Sequence, residues 1–364
     1  MSETEVQGLH GSGQEGDQMP KETVFTAPRM VDFREDPERD PGPRELKLKT
    51  LFSGISHGTE MNIYRGTSPQ FKKAMVDGLF EEGAPAYSYP MTYGYEEVGE
   101  VVAVGSQVRE YKVGDLVASA YGHREIGYVD IDRNPFTQPV PQGLEPLEAI
   151  FHALGTVALD GLFTSGLRLG EGTVIFGMGI VGILTLQVCK AAGVAPIVAV
   201  DLLPSRLEMA KRLGADHAFD ARKPGLAREI RSILGGRGAD AVFETSGSIQ
   251  ALHESIRCAA PLYSRVVAVA WYQGAAEGLF LGEEFHHTTG ASEIVAVNQF
   301  RRGSMASLRW DGKRIHAAVM RLLATRRMGG KDLVSHVIPF ARMREAFELI
   351  DGRPQEVLKV VLEF

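Results

Sequence analysis

The feature that most constrains the fold is a glycine-rich turn between an apolar run and a helix-like segment. Residues 177–182 read Gly-Met-Gly-Ile-Val-Gly; they follow the run TVIF and open the segment IVGILTLQVCKAAG. In a G-x-G-x-x-G turn, Gly177 permits the tight turn, Gly179 lets the backbone approach a pyrophosphate, and Gly182 allows the helix to pack closely on the strand. The first helical N–H groups, those of Ile180 and Val181, would then face the phosphates. The pattern therefore predicts a strand-turn-helix unit that binds a dinucleotide.

An acidic residue at the end of the next apolar run bears on which dinucleotide is bound. Asp201 ends the run PIVAVD, nineteen residues after Gly182. A carboxylate at this place accepts hydrogen bonds from ribose hydroxyls and repels a 2′-phosphate, so the sequence predicts NAD(H) rather than NADP(H). Arg206 follows five residues later. Its guanidinium is placed to stack on or hydrogen-bond the adenosine, although a solvated arginine at a helix start fits the sequence equally well.

The texture of the chain changes from Thr173, where strand-like and helix-like segments begin to alternate, and we place the domain boundary at residue 158. Residues 23–157 read as short strands and turns, among them a half-buried strand in which Leu46, Leu48 and Phe52 lie on one alternating face. Residues 158–308 alternate strand-like and helix-like segments, which predicts a doubly wound parallel sheet of the Rossmann type. Residues 309–364 end in the strand VLKVVLEF, which we place back in the first domain. Residues 1–22 open the chain without a hydrophobic stretch and are interpreted as a disordered tail.

Composition excludes several classes of function. A net charge of −7 and a pI near 5.9 provide no basic face for nucleic acid. No apolar run reaches about eighteen residues, so no membrane-spanning helix is expected. The two cysteines, Cys189 and Cys258, lie in helix-like segments and fit buried packing rather than a disulfide framework. These features predict a globular protein of the cytoplasm.

Five further segments carry a resemblance that covers almost the whole chain from about residue 24. They are GISHGTEMNIYRG at 54–66, GYEEVGEVVAVG at 94–105, YKVGDLV at 111–117, GRGADAVFETSG at 236–247 and the closing LKVVLEF. With the glycine turn, their order and spacing resemble those of the medium-chain dehydrogenase/reductase superfamily. The resemblance implies a GroES-like, mainly β domain built from both chain ends, a Rossmann domain between them, and an active site in the cleft. The expected fold class is therefore α/β.

The motifs S-G-I-S-x-G-T-E and G-Y-E-x-V-G look most like a metal-free branch of that superfamily, which includes bacteriochlorophyllide dehydrogenase. In zinc-dependent relatives, three metal ligands stand at positions that match Ser56, Tyr95 and His152 here. A hydroxyl, a phenol and one imidazole make a poor zinc site, because zinc favours thiolate, imidazole and carboxylate ligands. We therefore expect no metal. Glu96, next to Tyr95, matches a carboxylate that orients or charges its neighbours.

Three more positions lie, by resemblance, on the path of the dinucleotide. His57 stands where relatives carry a basic residue near the pyrophosphate. Lys359 stands where they carry an arginine with the same role. Thr156 matches a threonine that lies beside the nicotinamide. All three are therefore expected to contact the cofactor.

The tyrosine at position 95 raises the question of how charge on a carbonyl oxygen is neutralised during reduction. A phenol with an ordinary pKa of about 10 is protonated at pH 7 and can donate a proton to that oxygen. His152 can relay the proton or act as base for alcohol oxidation, and Ser56 can add a donor. Gly58 stands where zinc-dependent relatives keep a hydroxyl relay. The alternative is that Tyr95 and His152 only fill the space of the zinc site.

Three hypotheses of function follow. The leading one is a zinc-independent oxidoreductase that transfers a hydride between NAD(H) and a small secondary alcohol or ketone. The alternatives are an enoyl reductase, acting on enones or acyl-CoA thioesters, and a dinucleotide-binding paralogue without turnover.

Three segments outside the matched motifs also carry expectations. Trp271 and Tyr272, at a strand end, are predicted to wall the substrate. The adjacent His286 and His287 cannot face one metal and are expected in a loop at a domain boundary or subunit interface. The apolar segments SRVVAVAWY and SEIVAVN predict a sheet edge that joins subunits into a homodimer or homotetramer.

Overall fold

The structure is a computed structural model that describes residues 19–83, 85–273, 275–287, 293–297 and 310–364. The tail expected over residues 1–22 therefore lies almost entirely outside the described residues, as does the expected boundary near residue 308. Within the described ranges, no helix is long and apolar enough to cross a membrane.

The strands of the described residues fall into three groups along the chain. The first group comprises β1 (Lys21–Ala27), β2 (Met30–Glu35), β3 (Glu45–Ile55), β4 (Lys73–Val76), β5 (Leu79–Glu82), β6 (Glu97–Val104), β7 (Leu116–Ser119), β8 (Ile126–Asp130) and β9 (Gln138–Pro139). The second group comprises β10 (Thr173–Phe176), β11 (Ile197–Asp201), β12 (His217–Asp220), β13 (Ala241–Glu244), β14 (Arg265–Ala268) and β15 (Glu293–Ala296). The last group comprises β16 (His336–Pro339) and β17 (Val360–Glu363).

Helices alternate with the strands of the second group and also flank it. They span Thr59–Arg65, Pro146–Ala149, His152–Ser165, Ile180–Ala191, Pro204–Leu213, Leu226–Ile233, Ile249–Cys258, Glu284–His287, Gly312–Ala324 and Met343–Gly352. Short 3₁₀ turns occupy Pro69–Phe71, Lys331–Leu333 and Phe340–Arg342.

Strands of the first and last groups share one sheet, with the order β16-β17-β3-β6-β7-β9 and with β8 also paired to β3, while β1 and β2 form a separate antiparallel pair. The closing strand β17 runs antiparallel to β3, with Val361 opposite Gly54. The two chain ends therefore meet in the sheet that carries residues 54–60 and 95–97. The strands β4 and β5 form a separate hairpin.

The second group forms a parallel sheet with the order β12-β11-β10-β13-β14-β15. All residues of β10, β11 and β13 are buried, as is typical of a parallel sheet covered on both faces. The strand order reverses between β10 and β13, and ligands bind at such a switch point, outside the carboxyl ends of the strands. The predicted parallel sheet is confirmed.

One helix connects the two sheets. His152–Ser165 packs against the helices Ile180–Ala191 and Gly312–Ala324. The approach is close, because a Cβ on Gly155 would lie 2.6 Å from side-chain carbons of both Val319 and Met328. The N-terminal turn of this helix thereby carries His152 and Thr156 towards the cleft.

Candidate active site

The glycine-rich turn lies at the switch point, between β10 and the helix Ile180–Ala191. Gly177 has a φ of +88°, and a Cβ on Gly182 would lie 1.8 Å from the Gly177 carbonyl oxygen. Only glycine fits either place. Ile180 and Val181 begin the helix, so their N–H groups have no intrahelical partner and are directed at a ligand in front of the turn.

The carboxylate of Asp201 is fixed beside this turn. One of its oxygens accepts a hydrogen bond from the Met178 N–H at 2.6 Å, and the other accepts from the Leu203 N–H at 2.8 Å. Each oxygen keeps a further lone pair for a ribose hydroxyl. The structure therefore brings the predicted acid and the predicted turn into direct contact.

The guanidinium of Arg206 lies over the second glycine of the turn. One of its nitrogens is 3.8 Å from the Cβ position of Gly179, and another donates to the carbonyls of Pro354 and Val357 at 3.3 Å. Arg206 is therefore held against the turn and is not a freely solvated side chain, which was one of the two sequence-based alternatives. Its position brings a positive charge to where a pyrophosphate would lie.

His57 sits among cationic side chains. Burial, together with the charges of Lys359, Arg206 and Arg65, lowers the pKa of its imidazole to about 3. The ring Nε2 is buried and has no hydrogen-bond partner among the described residues. The expected basic residue is thus a neutral imidazole at pH 7, with an unused polar atom, and the arginines supply the positive charge.

Tyr95 and Ser56 are joined directly. The Tyr95 phenol donates a hydrogen bond to the Ser56 hydroxyl oxygen at 2.6 Å, which leaves the Ser56 proton free to be donated elsewhere. Burial raises the pKa of Tyr95 well above 10, and the charges of Glu96 and Glu60 raise it too, while hydrogen bonds to Ser56 and Thr59 lower it. The phenol is therefore protonated at physiological pH.

A buried ion pair lies directly behind Tyr95. The Lys359 ammonium is 2.7 Å from a Glu96 carboxylate oxygen, and it donates to the Ile55 carbonyl at 2.8 Å. Gly54 makes room for the pair, since a Cβ there would lie 2.8 Å from Lys359 Cε. Burial raises the pKa of Glu96 to about 7, and Lys359 opposes that shift. Lys359, expected on the pyrophosphate, is instead directed at the carboxylate next to the phenol.

His152 is almost fully buried, with an exposed fraction of 1%. Its ring packs edge-on against Phe136, and neither ring nitrogen has a hydrogen bond of normal geometry among the described residues. Burial lowers the pKa of His152 to about 3, and the charge of His316 contributes in the same direction. The imidazole is neutral throughout the physiological range, so it is a far weaker base than its ordinary pKa of about 6.5 implies.

Thr156 lies one turn further along the same helix and is buried. Its hydroxyl donates to the Ala153 carbonyl at 2.7 Å, as threonines inside helices often do.

Comparisons with known proteins agree with this arrangement. The family model described as an alcohol dehydrogenase GroES-like domain matches residues 42–134, and the model described as a zinc-binding dehydrogenase matches residues 181–301. D-guloside 3-dehydrogenase of Escherichia coli (strain K12) is 28% identical over 94% of this chain and 100% of its own length. The chain belongs to the medium-chain dehydrogenase/reductase superfamily.

Two further comparisons support the same assignment. (R,R)-butanediol dehydrogenase of Bacillus subtilis (strain 168) is 29% identical over 67% of this chain and 75% of its own length. The crystal structure of 2R,3R-butanediol dehydrogenase from Bacillus subtilis superposes with a TM-score of 0.78 at 23% identity, over 95% of this chain and 99% of that chain. The predicted α/β class, a GroES-like domain with a Rossmann-type sheet, is confirmed. This medium-chain dehydrogenase is an NAD(P)-binding enzyme.

The family description includes zinc, so we compare the side chains at the three matched ligand positions, Ser56, Tyr95 and His152, with those that zinc prefers. In this medium-chain dehydrogenase, Tyr95 and Ser56 bind each other, and the raised pKa of Tyr95 disfavours the phenolate that a metal would require. His152 offers the one imidazole of the three positions. These residues do not fit zinc. Among the described residues, the group of three potential ligand side chains with atoms within 4.8 Å of one another is His253, Glu283 and Glu284, and it includes none of these positions.

Two functional neighbours of Tyr95 were missed in the sequence. Thr59 hydrogen-bonds the Tyr95 phenol, whereas the resemblance matches Gly58 to the hydroxyl position of zinc-dependent relatives. Glu60 is fully buried and pairs with His123 at 2.7 Å. The signal for both is the pair of polar residues Thr59 and Glu60 directly after Gly58 in GISHGTE.

The turn after β13 follows a strand that neighbours β10 in the parallel sheet. The buried Glu244 carboxylate accepts from the Ser246 N–H at 2.8 Å and from the Tyr272 phenol. Tyr272 is therefore tied to Glu244, while Trp271 beside it is 41% exposed. His286 and His287 lie in the short helix Glu284–His287 rather than in a loop.

Proposed function

We propose that the protein is a zinc-independent, NAD(H)-dependent oxidoreductase that interconverts a secondary alcohol and its ketone. The observation that carries this proposal is the protonated Tyr95 phenol, hydrogen-bonded to Ser56 at 2.6 Å, at the position of a zinc ligand in relatives. A Lewis acid and a proton donor are two ways to neutralise the charge that hydride transfer creates on oxygen. The side chains at this site favour the second.

The dinucleotide fits the residues in front of the turn. The N–H groups of Ile180 and Val181 and the guanidinium of Arg206 lie at the turn, and His57, whose pKa the charge of Arg206 lowers, offers an unused Nε2. Asp201 favours an unphosphorylated ribose. When bound, the nicotinamide supplies or accepts the hydride.

Residues of the chain then supply the proton that the substrate oxygen takes up. In the reductive direction, Ser56 donates its hydroxyl proton to the substrate oxygen while it accepts the proton of Tyr95, or the phenol donates directly. An alkoxide is more basic than a phenolate, which favours proton transfer to the substrate oxygen. Glu96, paired with Lys359 at 2.7 Å, has a charge that raises the pKa of the phenol and keeps it protonated in the resting enzyme.

The substrate class is a secondary alcohol of a small molecule. The name of the D-guloside 3-dehydrogenase relative refers to the oxidation of a sugar derivative, whose ring hydroxyls are secondary alcohols. A cyclic polyol is therefore one chemically suitable substrate. The enoyl-reductase alternative needs a donor for a thioester oxygen, and no contact of the described residues favours it over the alcohol.

The test is a panel of secondary alcohols, ketones, enones and enoyl-CoA thioesters, followed by NADH absorbance. Protein purified without chelator is also analysed for zinc. We expect turnover of an alcohol and ketone pair, substoichiometric zinc, and no loss of activity with chelator. Stoichiometric zinc with chelator-sensitive activity would overturn zinc independence, and turnover confined to enones or enoyl-CoA would overturn the reaction class.

A further inference from the structure

A row of aromatic rings leads outward from Tyr95. The Tyr93 and Tyr95 ring centroids are 6.0 Å apart at an interplanar angle of 86°. Tyr87 follows at 6.2 Å from Tyr93, and Phe71 at 5.8 Å from Tyr87. Each contact is edge-to-face, a preferred geometry for aromatic pairs. We define Phe71, Tyr87 and Tyr93 as the aromatic wall.

The wall is amphipathic and carries no acidic or basic side chain. The Tyr93 and Tyr87 phenols are hydrogen-bonded to each other, and burial raises the pKa of Tyr93, so its hydroxyl stays neutral. All three residues are half-buried, which leaves part of their surface accessible. A surface of ring faces and hydroxyls fits a neutral ligand that has both apolar C–H faces and hydroxyl groups.

The wall is fixed from behind. Tyr89 stacks on Phe71 with centroids 4.6 Å apart, and its phenol donates to the Ile63 carbonyl. The Tyr87 N–H donates to the Gln70 carbonyl at 3.0 Å. The Tyr89 contact ties the wall to the helix that begins at Thr59, which also presents a hydroxyl to Tyr95. The wall and the proton donor therefore contact the same helix.

The outer end of the wall continues into apolar surface. The hairpin of β4 and β5 exposes Met75, Val76, Leu79 and Phe80, with Leu79 66% exposed. The hairpin joins the wall through the Ala86 N–H, which donates to the Lys73 carbonyl at 3.3 Å. A ligand longer than one ring would thus meet apolar side chains beyond Phe71.

We propose that the aromatic wall selects a substrate whose reacting carbon belongs to a neutral saturated ring, such as a cyclic polyol or a glycoside. The ring lies against Tyr93 and Tyr87, which directs its secondary hydroxyl or ketone at Tyr95 and Ser56. An acyclic substrate of the same reaction lacks the flat C–H face that such stacking needs. The proposal rests on the proposed function, because the wall is placed relative to the proton donor.

The experiment compares a ring ketone with an acyclic ketone in wild-type protein and three variants. The substrates are a methyl hexopyranoside oxidised at one ring carbon and 2-butanone. Tyr93→Leu and Tyr87→Leu remove wall rings, Tyr93→Phe keeps the ring without the hydroxyl, and Tyr263→Leu is the matched control at a tyrosine that is 87% exposed. Kinetic constants and melting temperature are measured for each.

We expect Tyr93→Leu and Tyr87→Leu to raise KM for the ring ketone by about five- to tenfold with little change in kcat, the scale of an aromatic contact. KM for 2-butanone should change less than about twofold, and Tyr93→Phe should lie between Tyr93→Leu and wild type. Equal losses on both ketones, or unchanged KM on both, would overturn the proposal. Because Tyr87→Leu removes a wall ring at a second position, a folding defect in Tyr93→Leu leaves the comparison intact.

Calorimetry separates this proposal from the proposed function. The methyl hexopyranoside is titrated into the NAD-loaded protein and each variant. If wild type turns over no ketone but binds the ring, and the wall variants weaken that binding, the proposed function fails and the aromatic wall stands. If wild type turns over acyclic ketones but binds the ring no better than the wall variants do, the wall proposal fails alone.

Discussion

Tyr95 differs from an exposed tyrosine because acidic side chains and a hydroxyl group surround its phenol. Burial of the phenol raises its pKa, and the negative charges of Glu96 and Glu60 raise it too, because all three disfavour a phenolate. In front of it, Ser56 accepts the phenolic proton in a 2.6 Å hydrogen bond. A side chain so placed holds its proton until a strongly basic oxygen is formed nearby. That behaviour suits a general acid that must not ionise in the resting enzyme.

The first prediction concerns the phenol itself. In Tyr95→Phe the ring remains and only the hydroxyl is lost, so NADH affinity and melting temperature should barely change. We expect kcat on the best ketone to fall by about 10²- to 10⁴-fold, the scale of general acid catalysis. Tyr263→Phe, at the exposed tyrosine, is the matched control and should keep wild-type kcat. Unchanged kcat in Tyr95→Phe would mean that the tyrosine only fills space.

The second prediction concerns His152, whose pKa is lowered to about 3. Between this value and the unfolded pKa of about 6.5, the unfolded chain binds a proton that the folded chain does not. His152 therefore makes the unfolding free energy fall as pH decreases through that window, by up to about 1.4 kcal/mol per pH unit. In His152→Leu this dependence should be shallower by up to one proton, as measured by urea unfolding from pH 4 to 7.

The same substitution tests the catalytic role of His152. A neutral imidazole that titrates near pH 3 does not shape the kcat profile between pH 5 and 8, so the profile of His152→Leu should run parallel to that of wild type. The exposed His286→Leu serves as control for both measurements. A profile that loses a step near pH 6.5 in His152→Leu would restore the relay that the sequence suggested.

At the scale of elements, structure that depends on neighbouring residues could be predicted from the sequence. Structure that depends on contacts between distant residues could not. The alternation in β3 buries Leu46 and Leu48, but a register shift between Thr50 and Phe52 leaves Phe52 half-buried. The glycine turn and Asp201 were predictable because a turn's geometry fixes the residue types within it. The direction of the Lys359 side chain depends on β17 pairing with β3 some 300 positions away, and no local pattern encodes that.

The third prediction belongs to the turn and to β11. Asp201 is held by two backbone N–H groups, so its charge cannot move away from a 2′-phosphate. We expect NADH to bind at least about tenfold more tightly than NADPH, since one repelled charge pair is worth about 1.4 kcal/mol or more. Asp201→Asn should reduce the ratio of the two affinities. Glu208→Gln removes an equal charge from the exposed face of the next helix and should leave this ratio unchanged. Calorimetry that gives equal affinities for NADH and NADPH in wild type would contradict this role of Asp201.

At the scale of the whole molecule, the active site is assembled from distant parts of the chain. The proton donor comes from the segments around residues 56 and 95, its ion-pair partner from residue 359, and the buried imidazole from the helix that starts at residue 152. The superfamily motifs indicated that these segments meet. The buried pair of Glu60 and His123 was not predicted, because each residue alone reads as an ordinary polar residue of a loop or helix start.

The last prediction concerns assembly. Among the described residues, β15 is an edge strand of the parallel sheet. Its residues are mostly exposed, including Ile294. An open edge with apolar side chains is a template for strand pairing, and a second copy of the chain can cover it in an isologous way. We expect a dimer or larger assembly by light scattering at micromolar concentration. Ile294→Lys should shift the protein towards monomer, because a charge on the edge opposes pairing, whereas Ile294→Val should not. A wild-type protein that is monomeric under these conditions would remove the predicted interface and leave the proposed chemistry, which lies within one chain, unaffected.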